Sequence, residues 1–104
     1  MVAPRPRVLT LSAKESLILE LLVREEESYG LQLVAAARGR LRRGTVYVTL
    51  GRMEEKGYIT SRYEERPPST GGLRRRLYAP TKLGRRVLAA WTEASRRLLP
   101  EFAQ

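Results

Sequence analysis

The stretch LRRGTVYVTLGRMEEKGYI, residues 41 to 59, constrains this chain more than any other. Val46, Leu50 and Met53 recur at spacings of four and three, which lines one face of a helix, and Gly57 supplies a stop. Thr45, Val48, Thr49 and Arg52 lie off that face with no core to join, and Arg42 and Arg43 stand at the helix mouth. Two readings follow: a plain solvated helix, or a helix whose free face is a reading surface.

Charge separates them. The chain has 104 residues, the size of one modest domain, and carries a formal net charge of +9. Residues 38 to 86 hold fourteen Lys or Arg against four Glu, while the remainder holds six against seven. The excess therefore belongs to the middle of the chain, and so concentrated a band favours an anionic polymer as partner.

The sequence contains no His, Cys, Asp or Asn. That removes the usual general base, the thiol nucleophile, disulfides and nearly every metal-site pattern. Most of the glutamates fall in the charged runs Glu25 to Glu27, Glu54-Glu55 and Glu64-Glu65, as solvated faces do. Neither an enzyme nor a cofactor or metal site is expected. No apolar stretch approaches the roughly 18 residues of a membrane span. The opening MVAPRPRVLTL has no signal-peptide core, so a cytoplasmic, nucleoid-associated protein is expected. Pro4 and Pro6 between arginines suggest a flexible basic arm over residues 1 to 10.

Ser12, with a Glu three residues on, forms a capping box that opens a helix from about 13 to 27. Leu17, Ile18, Leu19, Leu21, Leu22 and Val23 cover roughly 240° of it at about 100° per residue. An arc that wide suggests that Leu17 and Leu21 meet a second chain; the alternative is a helix central to its own core. SYGLQLVAAARG gives a second helix, capped by Ser28 and stopped near Gly39, and the opening stretch is the third. YITSRYEE and LRRRLYA read as strands joined by the loop RPPSTGG. A last helix runs from about Thr81 to Leu99, ended by Pro100. The fold expected is mainly α with a small β-hairpin, a winged helix-turn-helix over 11 to 80 followed by a C-terminal dimerisation helix and tail over 81 to 104. In such a fold the third helix enters the major groove and the wing follows the neighbouring backbone.

Tyr29-Gly30 at the second helix, Gly44-Thr45-Val46-Tyr47 opening the third, and Leu50, Met53-Glu54 and Gly57-Tyr58-Ile59 closing it carry a family likeness. With Gly71 to Arg76, Tyr78, Thr81 and Gly84, they make the chain resemble the PadR family of bacterial transcriptional regulators, in particular its short members, over roughly residues 15 to 92. The resemblance implies a homodimeric repressor on an inverted-repeat operator, released in some relatives by a small aromatic effector. Val48 departs from the proline often found there, and Gly51 from the usual polar residue.

The DNA-binding candidates are Arg42, Arg43, Thr45, Tyr47, Val48, Thr49 and Arg52, with Arg74, Arg75 and Arg76 in the wing. On a strand, Arg74 and Arg76 would share one side with Tyr78, and Arg75 would face the other. In the last helix Val87, Trp91, Ala94 and Leu98, extended by Leu83, are spaced as the seam of a short coiled coil. Trp91, midway along it, is the one candidate for contact with a flat apolar effector. Two other classes stay open on charge alone: a basic RNA-binding or ribosome-associated protein, and a winged helix used as a protein-interaction scaffold.

Overall fold

The computed structural model describes residues 10–65 and 74–98. Four helices and three short strands follow one another as α1 (Ala13–Glu25), β1 (Ser28–Tyr29), α2 (Gly30–Ala36), α3 (Arg43–Glu55), β2 (Ile59–Tyr63), β3 (Arg76–Pro80) and α4 (Lys82–Leu98). The fold is mainly α with a small antiparallel sheet, as the sequence suggests. The arm expected over 1 to 10, apart from Thr10, lies outside the described residues, as do the loop 66 to 72, Leu73 and the stop at Leu99-Pro100.

The capping box forms. The Glu15 backbone N–H donates to Ser12 Oγ at 3.1 Å and the Ser12 N–H donates to Glu15 Oε1 at 2.8 Å, which satisfies two donors that a helix start leaves open. The helix ends two residues earlier than expected, because Glu26 turns the chain at φ 71°.

The wide apolar arc of α1 is covered by the chain itself, which corrects the expectation that Leu17 and Leu21 wait for a second copy. Packed against α2, α3, α4 and β3, α1 is the central helix. Leu17 and Leu21 join Ile18, Leu19 and Leu22 in one core with Leu33, Leu50, Met53 and Tyr58. Burying each such side chain contributes about 1.5–3 kcal/mol.

Sequence periodicity missed β1. Ser28 and Tyr29 pair with Tyr78 and Leu77, placing β3 in the middle of a sheet ordered β1-β3-β2. Ser28 is therefore a buried strand residue and not the cap of α2. Tyr29 occupies the cap position, and its N–H donates to Gln32 Oε1 at 2.9 Å.

The start of α4 is locked to the end of α3. Thr81 donates its N–H to Tyr58 O at 3.0 Å and its hydroxyl to Gly57 O at 2.6 Å, while the same hydroxyl accepts the Gly84 N–H at 3.0 Å. Gly84 lies against the Tyr58 carbonyl so closely that a Cβ there would sit 2.0 Å from the oxygen. Val87 also joins the core, so this member of the expected seam is claimed by its own domain. Farther along α4, Trp91 keeps 45% of its surface exposed and Leu98 77%.

Candidate nucleic-acid interface

A turn through Arg38 (φ 49°) and Gly39 (φ 90°) carries the chain from α2 into α3, with Ala37 and Leu41 buried on either side of it. Arg42 holds the cap position in extended conformation and offers no side-chain cap, and Arg43 is the first helical residue. The positive end of the helix dipole thus opens beside two exposed guanidinium groups, a setting that favours an anion.

Around α3 the contacts divide into sectors. Val46, Leu50 and Met53 face the core. Tyr47 and Glu54 face the wing. Thr45, Val48, Thr49, Arg52 and Lys56 border a groove of about 630 Å³ shared with Thr10, Leu11, Ser12, Lys14 and Glu15. Between those flanks lie Gly44, Gly51 and Glu55, all exposed, and Val48, on the edge of the groove, is 57% exposed. Among the described residues, nothing lies within 4 Å of where a Cβ would stand on Gly44 or Gly51. The face is therefore uncovered among the described residues. The glycine at 51 relieves no internal clash, although a helix-interior glycine costs about 1 kcal/mol against alanine.

Tyr47 shows why a glycine opens α2. A Cβ on Gly30 would meet the Tyr47 ring at 2.6 Å, so the missing side chain is the seat of the ring. The ring lies across the start of α2 and stays half-exposed.

The three wing arginines, expected to alternate along one strand, are not equivalent. Only Arg76 lies in β3. Its Nη2 stands 3.2 Å from Glu54 Oε1 and its Nε donates to Ser61 Oγ at 2.8 Å, with Ser61 in turn donating to Glu54 Oε2 at 2.9 Å. Its guanidinium also lies 5.6 Å from the Tyr63 ring centre and 5.7 Å from that of Tyr78. Arg76 thus ties the wing to α3. Arg75 lies 5.1 Å from the Tyr29 ring and 4.0 Å from Glu64 Oε1. Tyr29 donates its hydroxyl to Glu64, and that bond, followed by burial and the carboxylate charge, raises the phenol above its ordinary pKa. Arg74 is exposed ahead of β3.

A second cluster went unnoticed in sequence. Lys56 Nζ bonds Glu15 at 2.7 and 3.0 Å and donates to Thr10 Oγ1 at 3.2 Å, and the Tyr58 hydroxyl donates to Thr10 O at 2.7 Å. Burial pushes the Glu15 carboxyl up, but Lys56 and the Ser12 N–H pull it further down, to a net pKa below the usual value. A lysine 41 residues from its partner leaves no trace in local pattern.

A helix, a turn, a second helix with its outer face bare, and a strand pair beside it define the winged helix-turn-helix class. The chain belongs to the PadR-like family of transcriptional regulators, whose model matches residues 18–90. It is a regulator of that family and not an enzyme. Among solved structures, a PadR family transcription regulator from hypervirulent Clostridium difficile is 30% identical, with a TM-score of 0.69 over 86% of this chain and 96% of the other. A PadR family transcriptional regulator from Eggerthella lenta is 28% identical, with a TM-score of 0.64 over 85% and 78%. Bacillus subtilis PadR, crystallised with operator DNA, shares the fold at 22% identity and a TM-score of 0.65; the match covers 76% of this chain and 46% of that one. No curated protein matches the chain. Among the described residues, no helix is long and apolar enough to cross a membrane.

Proposed function

We propose that the chain is a sequence-specific DNA-binding repressor that acts in the cytoplasm on the nucleoid. The observation that carries this reading is the bare sector of α3, flanked by an uncapped helix start with Arg42 and Arg43. In a major groove the first turns of α3 would face base edges, with Val48 against a thymine methyl and Arg52 in bidentate contact with guanine. Arg42, Arg43, Arg74 and Arg75 would hold phosphates. Arg76 is assigned to positioning, since Glu54 and Ser61 occupy it. The operator complex of Bacillus subtilis PadR supports the same use of the fold.

A homodimer on an inverted repeat fits the amphipathic α4. Leu83, Trp91, Ala94 and Leu98 remain exposed along it, and a second copy that covered them would set two α3 helices at a fixed spacing. Trp91 is then the residue at which a flat aromatic effector would stack. The test is selection of bound fragments from the host genome, followed by footprinting. Two protected half-sites one helical turn or a multiple apart, related by inversion, are expected. Fragments with no shared sequence, or a preference for RNA, would point to the scaffold or RNA-binding class instead.

A further inference from the structure

The groove that α1 shares with α3 has a charge balance that nothing inside the fold requires. Lys14, Arg52 and Lys56 line it against one acidic side chain, Glu15, an excess of two positive charges. Lys56 is already engaged: its Nζ lies 2.7 and 3.0 Å from the two Glu15 oxygens, and Glu15 is only 4% exposed. The one carboxylate that would repel an anion is thus buried and paired. Lys14 and Arg52 stay exposed, and neither meets an acidic group among the described residues. On its other side Lys14 borders a hollow shared with Glu20 and Arg40, whose charges offset each other.

Two hydroxyls lie on the same flank of α3. Thr45 Oγ1 donates to Arg42 O at 3.4 Å and Thr49 Oγ1 to Thr45 O at 3.3 Å, well beyond the distance of about 2.7–2.8 Å usual for a hydroxyl donor. Bonds that long cost little to exchange for an anionic acceptor.

The position of this flank decides which anion it meets. At about 100° per residue, Thr45, Thr49 and Arg52 lie roughly 180° around α3 from Tyr47 and Glu54, which face the wing. The bare sector of Gly44 and Gly51 lies between the two sets. An α-helix with its side chains is about 10–12 Å across and a major groove about 12 Å wide, so a helix seated there brings both flanks against walls rimmed by phosphates. The wing accounts for one wall.

We infer that Lys14 is a DNA-backbone contact: with Thr45 and Thr49, it takes a phosphate on the wall of the major groove opposite the wing, while Arg52 beside it turns to a base edge. This rests on the proposed DNA-binding reading. A lysine suits the task, because its ammonium meets a phosphate as a point charge on a flexible stem and demands no bidentate geometry. Lys14 belongs to α1, so the central helix of the core also braces α3 against its target.

The experiment titrates the parent chain and the variants Lys14→Ala, Lys14→Arg and Arg24→Ala against a genome-selected duplex and a scrambled one at several salt concentrations, with circular dichroism confirming each fold. One phosphate contact contributes about 0.9 to the slope of log K against log[salt], which is about eightfold in affinity between 0.1 M and 1 M salt. Lys14→Ala should therefore weaken binding to both duplexes about eightfold per bound copy at about 0.1 M salt and flatten the slope by about 0.9 per copy. Lys14→Arg keeps the charge and should stay within about twofold of the parent. Arg24→Ala removes the same charge from the far end of α1, roughly 15 Å away, and should leave affinity and slope unchanged. Lys14→Ala binding like the parent with the same slope overturns the groove contact and leaves the DNA-binding reading standing. An equal loss in Arg24→Ala would trace the effect to net charge, and an altered sequence preference with an unchanged slope would trace it to a base; either overturns the backbone contact. Failure of the parent chain to bind any duplex overturns both readings together.

Discussion

Gly51 and Gly84 are both helical glycines, and replacing each with alanine should move stability in opposite directions. At Gly51 a Cβ enters open space, so only the gain in helix propensity operates, about 1 kcal/mol in favour of Gly51→Ala. At Gly84 the same gain is opposed by a Cβ 2.0 Å from Tyr58 O, 2.9 Å from Tyr58 C and 3.2 Å from Leu19 Cδ2. A comfortable carbon–oxygen contact is about 3.3 Å, so α4 must retreat by roughly 1.3 Å from a backbone that cannot rotate away. Retreat strains the bond from Thr81 N–H to Tyr58 O and loosens Val87 in the core. Overpacking at about 1–3 kcal/mol and a weakened buried acceptor at about 1–3 kcal/mol outweigh the propensity gain. Gly84→Ala should therefore lose about 3 kcal/mol, a fall in Tm of roughly 12–24 °C for a domain of this size. Urea and thermal unfolding followed by circular dichroism, at one fixed protein concentration because dimerisation shifts the midpoint, read both variants. A Gly84→Ala protein as stable as the parent, or a Gly51→Ala protein less stable than it, would refute the reasoning.

Three further outcomes are expected. Glu15 has a folded pKa below its unfolded value, so its contribution is present above the unfolded pKa, near 4.3, and is lost as pH falls through the folded value. Urea unfolding should show Glu15→Gln costing about 1–2 kcal/mol at pH 7 and progressively less as the solution is acidified below pH 4; a cost independent of pH would remove the ionic role. Trp91→Ala combined with Leu98→Glu should give monomers by sedimentation, with operator binding severely weakened; a parent chain that sediments as a monomer at micromolar concentration would end the quaternary proposal. Arg52→Ala should cost about 1–3 kcal/mol on operator and much less on scrambled duplex, whereas Arg74→Ala should weaken both alike; the reverse pattern would exchange reader and holder.

The helices were legible because their signals are local. The Ser12–Glu15 box and the spacing of Val46, Leu50 and Met53 each need only a few residues, and both elements form where the pattern puts them. What escaped depends on partners distant in sequence. β1 is two residues long and exists because β3 lies beside it about fifty positions later. The width of the α1 apolar arc shows how much must be covered but not by what, and Leu17 and Leu21 found their cover inside the chain. Arg76 resembles its neighbours Arg74 and Arg75 in sequence, and only the approach of Glu54 across 22 residues separates them. Gly30 and Tyr47 both stand in local motifs, but that one is the seat of the other is a fact of packing.

The most direct measurement is the salt dependence of binding to duplex DNA by the unmodified protein. If Arg42, Arg43, Arg74 and Arg75 each neutralise about one phosphate, two bound copies should give a slope of log K against log[salt] near −7. A slope near zero, or no affinity for duplex at all, would mean that the basic band around α3 is not a DNA-binding surface.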